Sequence, residues 1–375
     1  MLGRDTLGVL PRQPELPILY NSPMMTEKRS AVLLGTGLSV FFALVQFRLI
    51  VLVLGPNYGR AVDAAAGVLN GHPHWRAFQP RVLGPLLVEL TSLVLPSFLA
   101  AHVFYSIATL AVMGFLAWRL GWRYGGTIAS ALLALFAFEA SFAFLLSPPW
   151  LYAWDYLDII VFLVFVEFVI EGKSWPWFAC LLVIGILNRQ SAAFIAVWMI
   201  LEALSRWHFG RKDRHAVPLD WTFLAAGISG LVLAMAIDEA ITRMFFIEEI
   251  GPKIFTDVGP EKAGQFQKFQ LFTNLRLAWG ALTQFQYTLP FLILVFLGVC
   301  LALAVALMRT GRRYVALGLT FITMVLADLG YGYFTETRVF VELIPLVVLG
   351  VLVLTRGAAA PPVPSAATRG PRNSL

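Results

Sequence analysis

Long apolar runs separated by short polar connections make up most of the chain. Ten runs are long enough to cross or nearly cross a bilayer, which takes about 20 apolar residues in a helix. They lie at 31–55, 98–118, 127–147, 155–171, 175–188, 190–206, 221–245, 287–308, 315–334 and 337–355. The pattern predicts an all-α fold, a polytopic transmembrane bundle of about ten spans.

The stretch 175–206 is read as two helices because the polar "NRQ" at 188–190 interrupts it. With the N-terminus inside, this reading places 17 of the 28 Lys and Arg residues on the cytoplasmic side. A single helix here would put the basic clusters at 206–214 and 309–313 opposite Arg119 and Arg123, against the positive-inside rule. We therefore expect both termini in the cytoplasm.

Composition agrees with a membrane protein. Hydrophobic residues make up 59% of the chain and charged residues 13%, and the mean hydropathy is +0.76. Cys180 and Cys300 lie inside apolar runs, which gives no support to a disulfide framework or a cysteine metal site. The net charge of +6 is scattered over short loops, so membrane lipids are expected partners and nucleic acid is not.

Three regions are expected along the chain. Residues 1–30 carry four prolines and basic residues without an apolar core, and are predicted to form a cytoplasmic tail. Residues 31–355 form the transmembrane domain. Residues 356–375, rich in Pro, Ala and Ser, are predicted to be a disordered cytoplasmic tail.

Two long connections fall on the outer side of this topology, at 56–97 and 246–286. In the first, 60–70 is predicted to be a short Ala-rich helix ended by Asn-Gly. The segment 81–96 is apolar but too short to cross, so a second short helix is expected along the interface. The second connection, with "QFQKFQLF", is expected to form an amphipathic cover.

Ionisable residues beside or within apolar spans are costly and usually functional. One set lies at the outer ends of the predicted spans: Asp155, Asp158, Arg189, Arg338 and Glu342. Another set lies deeper in the predicted spans or at a depth that the sequence does not define: Arg48, Glu139, Glu167, Asp238, Glu239 and Asp328. Since the first set shares a face with the connection 56–97, an outward-opening polar cavity is expected there.

Local pairing or capping is the alternative for several of these residues. Arg60 and Asp63 stand at i, i+3 and are compatible with an ordinary surface ion pair. Arg338 and Glu342 stand at i, i+4 and are compatible with an intrahelical pair. Asp155 opens its helix, where capping alone would explain a carboxylate.

Arginine and aromatic residues at the outer face have similar structural alternatives. Arg189 is placed to cap the helix at 175–188, and Arg81 to anchor among lipid headgroups. Two histidines in one loop, His72 and His74, are a weak metal signal, and no metal ligand is assigned. Three tryptophans near this face are interpreted as an interfacial belt: Trp75, Trp150 and Trp154.

The order of these segments resembles that of the GT-C superfamily of membrane glycosyltransferases over roughly 31–355. In that family an N-terminal span precedes an outer loop with interfacial helices and an early acidic residue. The similar stretches are "YGRAVDAAAGVLNG" with Asp63, "FQPRVLGPLLVEL", "FLAWRLGWRYGG", "WDYLDIIVFLVF", "GILNRQSAAFI" and "TETRVFVELIPLVV". The chain departs from many members in having no second acidic residue beside Asp63, which leaves a divalent-metal requirement open.

The resemblance implies an enzyme that transfers a sugar from a polyprenyl-phosphate donor to a lipid or glycan acceptor. The reaction would take place on the outer side of a bacterial inner membrane. Asp63 would be the catalytic carboxylate that takes a proton from the acceptor hydroxyl or positions it. The donor phosphate would be held by Arg81, Arg189 and Arg338, and the substrate would be contacted by Arg60, Asp155, Asp158 and Glu342.

Other classes of membrane protein remain open. A transporter or lipid flippase would use intramembrane charges as a path, but no internal repeat of the spans is visible. An O-antigen polymerase or ligase-like enzyme would depend on a late outer loop more than on Asp63. A structural subunit would tolerate neutralisation of most of these charges.

Overall fold

A computed structural model describes residues 23–70, 81–146, 151–212, 218–245, 269–284, 288–332, 334 and 336–359. All regular elements in these ranges are helical, which confirms the all-α prediction. The α-helices are α1 (Pro23–Leu54), α2 (Asn57–Leu69), α3 (Leu83–Ser92), α4 (Phe98–Gly125), α5 (Ile128–Leu145), α6 (Ala153–Glu171), α7 (Trp175–Ile186), α8 (Ala193–Lys212), α9 (Trp221–Phe245), α10 (Leu271–Gln284), α11 (Thr288–Thr310), α12 (Val315–Tyr331) and α13 (Ile344–Ala359). Short 3-10 segments occupy Gln190–Ala192, Arg312–Tyr314 and Thr337–Leu343.

Eight helical segments of the described ranges are long and apolar enough to cross a membrane. They comprise all or most of α1, α4, α5, α8, α9, α11 and α12, and the run Thr337–Thr355, which includes most of α13. Two predicted spans are not among them. The helix α7 has 12 residues, about 18 Å at 1.5 Å per residue, and α6 carries acidic residues in both its first and last turns. The protein therefore has the fold of an integral membrane bundle.

The C-terminal segment lies at the centre of the bundle. In its most apolar window 78% of the residues are buried, against 22–56% in the other candidate spans. The helix α13 packs on α4, α5, α6 and α11, while α4 packs on α1, α5 and α6. The central position of Thr337–Leu343 and α13 brings the polar residues of this segment against the N-terminal end of α6.

The two short helices predicted in the first outer connection are present as α2 and α3. One face of α2, formed by Ala61, Ala64 and Val68, packs on Tyr152 and Trp154 just before and within the start of α6. The N–H of Leu83, the first residue of α3, donates to the carbonyl of Leu187 at 3.0 Å. Both helices are thus docked on the bundle at the same end.

Some of the deeper charges are explained by helix packing. Glu167, near the C-terminal end of α6, forms ion pairs with Arg119 at 2.8 Å and Arg123 at 3.0 Å of α4. Glu139 of α5 accepts a hydrogen bond from Nε2 of Gln46 of α1 at 2.8 Å. These two carboxylates hold neighbouring helices together, because each buried charge or dipole has a partner across the interface.

A glycine allows α3 to lie against the backbone of α6. A Cβ at Gly84 would lie 2.8 Å from the backbone nitrogen of Trp154 and 2.9 Å from the carbonyl carbon of Ala153. Backbone atoms cannot move aside as a flexible side chain can, so even a methyl group at this position forces α3 away from α6.

We predict that Gly84→Ala destabilises the protein by about 1–3 kcal/mol through this overpacking. Gly59→Ala on α2 is the matched control, because its added Cβ meets nothing within 4 Å. The control should be neutral or slightly stabilising, as alanine favours helix more than glycine does. Denaturant titration in mixed micelles would measure the free energy of unfolding of both variants. Equal stability of the two variants would contradict the close approach of α3 to the backbone of α6.

Candidate functional site

The N-terminal end of α6 places two carboxylates in the interior of the protein. Asp155 and Asp158 are 0% and 1% exposed and lie one helical turn apart. The backbone N–H of Tyr152 donates to Oδ2 of Asp155 at 2.9 Å, as expected of a carboxylate in the first helical turn. Helix capping accounts for the position of Oδ2 of Asp155. The other oxygen, Oδ1, is directed towards Arg189 and Arg338.

Arg189 enters this cluster from the junction between α7 and α8. Its Nη1 lies 3.0 Å from Oδ2 of Asp158, 3.8 Å from Oδ1 of Asp155 and 3.4 Å from Oε2 of Glu342. Ser191, two residues further on, donates to the other oxygen of Asp158 at 2.8 Å. The prediction that Arg189 caps the preceding helix is wrong, since its guanidinium group points to these carboxylates.

The electrostatic surroundings keep Arg189 charged. Burial alone would lower the pKa of Arg189, but the nearby carboxylates of Glu342, Asp158 and Asp155 outweigh it and raise the pKa above its usual range. The side chain is 8% exposed, so the charge has little access to water. Arg189 is therefore a permanent buried cation whose compensation comes from protein carboxylates.

Arg338 approaches the same carboxylates from the 3-10 segment before α13. Its Nη2 donates to Oε2 of Glu336 at 2.6 Å and its Nη1 lies 3.9 Å from Oδ1 of Asp155. Glu342 pairs with Arg189 and not with Arg338, so the expected intrahelical pair does not form. The cause is local geometry: Thr337–Leu343 is a 3-10 segment, in which positions i and i+4 no longer lie on one face.

A stacked aromatic pair lies between two of the arginines. The rings of Tyr152 and Trp154 are 4.5 Å apart with an interplanar angle of 16°. Arg338 lies 4.8 Å from the centroid of Tyr152, and Arg81 lies 5.6 Å from that of Trp154, both within cation–π range. Trp154 is 0% exposed, so its assignment to an interfacial belt is wrong; Trp75 and Trp150 lie outside the described residues.

Arg81 differs from the other two arginines in its position. It precedes α3 and is half-buried at the edge of the cluster. Burial, together with the like charges of Arg189 and Arg338, lowers the pKa of Arg81 to about 9. A group with this pKa is still protonated at neutral pH, so three cationic side chains meet at this end of the bundle.

A further carboxylate, Asp328 of α12, borders the cluster. Glu342 lies within hydrogen-bonding range of both Asp158 and Asp328. Asp328 is 7% exposed and belongs to an otherwise apolar helix. The sequence marks Asp328 as a candidate functional residue because it is an acidic residue within an apolar span. Its spacing along the chain does not show that it faces Glu342.

Asp63 and Arg60 do not join the cluster. Both are exposed on α2, and no described residue forms an ion pair with either of them, so the expected surface pair is not formed. Asp63 lies on the side of α2 opposite to Ala61, Ala64 and Val68, the residues that pack on the aromatic pair. His72 and His74 lie outside the described residues.

The structure thus brings together six of the eight predicted site residues. They are Arg81, Arg189, Arg338, Asp155, Asp158 and Glu342, contributed by the segment before α3, by α6, by the α7–α8 junction and by the 3-10 segment. In the described part of the chain these side chains form a packed ionic cluster rather than the open polar cavity expected from the sequence. Among the described residues, no group of three or more His, Cys, Asp or Glu is arranged to hold a metal ion.

The connection 246–286, which the sequence predicts to be outer, is described only from residue 269. Its helix α10 exposes large apolar side chains, with Phe272 77% and Trp279 69% exposed. On the opposite side, Nδ2 of Asn274 donates to the carbonyls of Leu329 at 2.9 Å and Gly332 at 2.6 Å. The helix is amphipathic, as expected. Its hydrogen bonds fix the position of the chain that leads from α12 towards Arg338. The rest of the predicted cover lies outside the described residues.

Comparison with known proteins yields no match, whether to a family model, to a curated protein or to a solved structure. The chemistry of the cluster and its position at one end of a membrane bundle are therefore what support a function.

Removal of Arg189 should be far more costly than removal of an exposed arginine. We predict that Arg189→Leu destabilises the protein by about 3–5 kcal/mol, because it leaves buried carboxylates without their cation. Arg243→Leu is the control, since its pair with Glu239 on α9 is mostly exposed and should contribute less than about 1 kcal/mol. Unfolding in mixed micelles would measure the difference, and similar losses for both variants would show that the cluster does not hold the fold.

Proposed function

We propose that the protein is a membrane glycosyltransferase that moves a sugar from a polyprenyl-phosphate donor to a lipid or glycan acceptor on the outer side of the membrane. The observation that carries the proposal is the convergence of Arg81, Arg189 and Arg338, which come from three separate elements. Clustered arginines are suited to phosphate oxygens, which accept two hydrogen bonds from each planar guanidinium group. A leaving lipid phosphate develops negative charge that such cations stabilise.

The three arginines would have different roles in this reaction. Arg189 is surrounded by Asp158, Asp155 and Glu342 and is best suited to organise the site. Arg81 lies at the edge and is half-buried, so it is the arginine that a donor phosphate would reach first. Arg338 would support Arg81 through the Tyr152–Trp154 stack.

The proposed side of the membrane follows from a ten-span topology. Counting α6 and α7 as two further crossings leaves the direction of every later helix unchanged and keeps the basic connections at 206–214 and 309–313 in the cytoplasm. In that arrangement the N-terminal ends of α6 and α8 and the C-terminal end of α12 face outwards. The cluster then lies in the outer half of a bacterial inner membrane, with both termini inside.

Asp63 remains the proposed catalytic carboxylate, on the strength of the resemblance. Its exposure on α2 leaves the side chain accessible to an acceptor hydroxyl. A carboxylate positioned in this way takes the proton of the attacking hydroxyl as the sugar–phosphate bond breaks. Arg60, one turn earlier on α2, is equally exposed and would contact the same substrate.

A transporter is the second candidate function, and one observation favours it. Asp328 and Glu342 are buried carboxylates within two adjacent spans, and such groups commonly mark ion or proton paths. Absence of sugar transfer from every donor tested would shift the proposal to this class.

Asp63→Asn should abolish most sugar transfer while leaving the fold intact, because an amide does not accept the proton. Transfer of a radiolabelled sugar from polyprenyl-phosphate donors to endogenous acceptors would be followed in membranes at matched expression. General-base catalysis typically contributes about 100- to 10,000-fold, so a loss of this size is expected. Glu89→Gln, an exposed carboxylate of α3, should retain transfer; equal activity of the two variants would rule out Asp63 as the base.

Arg81→Gln should weaken use of the donor specifically. Loss of a charge-assisted hydrogen bond corresponds to about 1.5–3 kcal/mol, or a decrease of roughly 10- to 100-fold in kcat/KM for the donor. Arg81→Lys should recover part of it, since the charge remains and the planar fork is lost. Initial rates at varied donor concentration would separate KM from kcat, and an unchanged kcat/KM in Arg81→Gln would remove Arg81 from the donor site.

A further inference from the structure

The carboxylates around Arg189 outnumber the cations. Five carboxyl groups, those of Asp155, Asp158, Asp328, Glu336 and Glu342, face three guanidinium groups, those of Arg81, Arg189 and Arg338. Four of the five are less than 9% exposed, so water does little to offset the excess negative charge. Buried charges of this kind are neutralised by a partner or by a proton.

Glu342 is the member that contacts other carboxylates directly. Its side chain lies within hydrogen-bonding range of Asp158 on α6 and of Asp328 on α12. Two ionised carboxylates have only acceptor atoms and cannot form a hydrogen bond with each other. A contact of this type in a buried site therefore requires a proton on one of the two groups, as in carboxylate dyads that share one.

Unpartnered oxygens provide a second observation. Oδ2 of Asp328 and Oε2 of Glu342 are fully buried and accept no hydrogen bond within the described residues, and Oε2 of Glu342 has only the longer ion pair with Arg189 at 3.4 Å. Asp158 is different, because its oxygens accept hydrogen bonds from Arg189 at 3.0 Å and Ser191 at 2.8 Å. Asp158 is thus satisfied as an anion, whereas the contact between Glu342 and Asp328 lacks a donor.

We infer that Glu342 is protonated and that its O–H group donates a hydrogen bond shared between the carboxylates of Asp158 and Asp328, so that the bundle contains a buried proton-binding site. The proton ties the 3-10 segment to α6 and α12. Among the described residues, the other charged group that faces Glu342 is Arg189, at 3.4 Å, and Cys300 of α11 faces Asp328. With one proton bound, the excess of negative charge over positive charge falls from two to one.

The proton also bears on anion binding, a consequence that rests on the proposed function. A site that must accept an anionic phosphate beside Arg81 benefits when the neighbouring carboxylates carry less negative charge, because like charges repel strongly where water is excluded. The presence of the proton itself does not depend on any substrate.

Infrared spectroscopy of the purified protein without substrate tests the inference. The difference spectrum between wild type and Glu342→Gln should contain the carbonyl band of a protonated carboxylic acid, and this band should shift in heavy water. Glu202→Gln is the control: Glu202 is buried but paired with Arg206 at 2.7 Å, so its difference spectrum should contain carboxylate bands only. A carboxylate band in place of the acid band for Glu342→Gln would overturn the proposal.

A second variant keeps the test decisive if Glu342→Gln does not fold. Asp328→Ala removes one of the two acceptors, so the acid band of Glu342 should move to higher frequency as its hydrogen bond weakens. An acid band unchanged by Asp328→Ala would show that the proton is not shared with Asp328. Neither measurement requires sugar transfer, so failure of the proposed function would leave these outcomes unaffected.

Discussion

The buried cation of Arg189 is the interaction on which this end of the bundle depends. One guanidinium group reaches carboxylates from α6 and from the 3-10 segment before α13, and its Nη2 also donates to the carbonyl of Val339. Desolvation of a charge is expensive, and it is compensated only if every partner is in place. The α7–α8 junction, the start of α6 and the central C-terminal segment must therefore be positioned together, and α12 joins them through Asp328.

Such an arrangement is poorly explained by stability alone. Replacing a buried ionic cluster by apolar side chains of similar volume is often neutral or stabilising, so a cluster of eight charged groups is better explained by the proposed role in binding an anion than by stability. The C-terminal end of α6 differs. There Arg119 and Arg123 remain about 40% exposed while they pair with Glu167, which is the arrangement of a solvated helix end. At the N-terminal end of α6, by contrast, the arginines lie together and are largely enclosed by the protein.

Hydropathy was sufficient to predict where helices lie, because all ten predicted runs coincide with helical segments, although only eight segments are long and apolar enough to cross a membrane. It was also sufficient to place Asp155, Asp158, Arg189, Arg338 and Glu342 at one end of the bundle. Their pairing could not be predicted, since Arg189 and Glu342 are 153 positions apart and local spacing favoured Arg338 as the partner of Glu342. Burial of Trp154 depends in the same way on tertiary contacts, because α2 and α3 cover a residue that composition assigns to the interface.

The segment Tyr152–Trp154 connects the two regions that the proposed reaction needs. The helix α2, which bears Asp63, packs on the rings of Tyr152 and Trp154, and α3, which follows Arg81, lies against the backbone of Trp154 at Gly84. The segment is itself fixed by hydrogen bonds from Tyr105 to the carbonyl of Ala153 and from Asn188 to that of Trp154. Asp63 and Arg81 therefore have defined positions relative to each other although they do not touch. A substrate that spans both would find the proton acceptor and the phosphate site on one rigid support, which is the pre-organisation that transfer between two bound molecules requires.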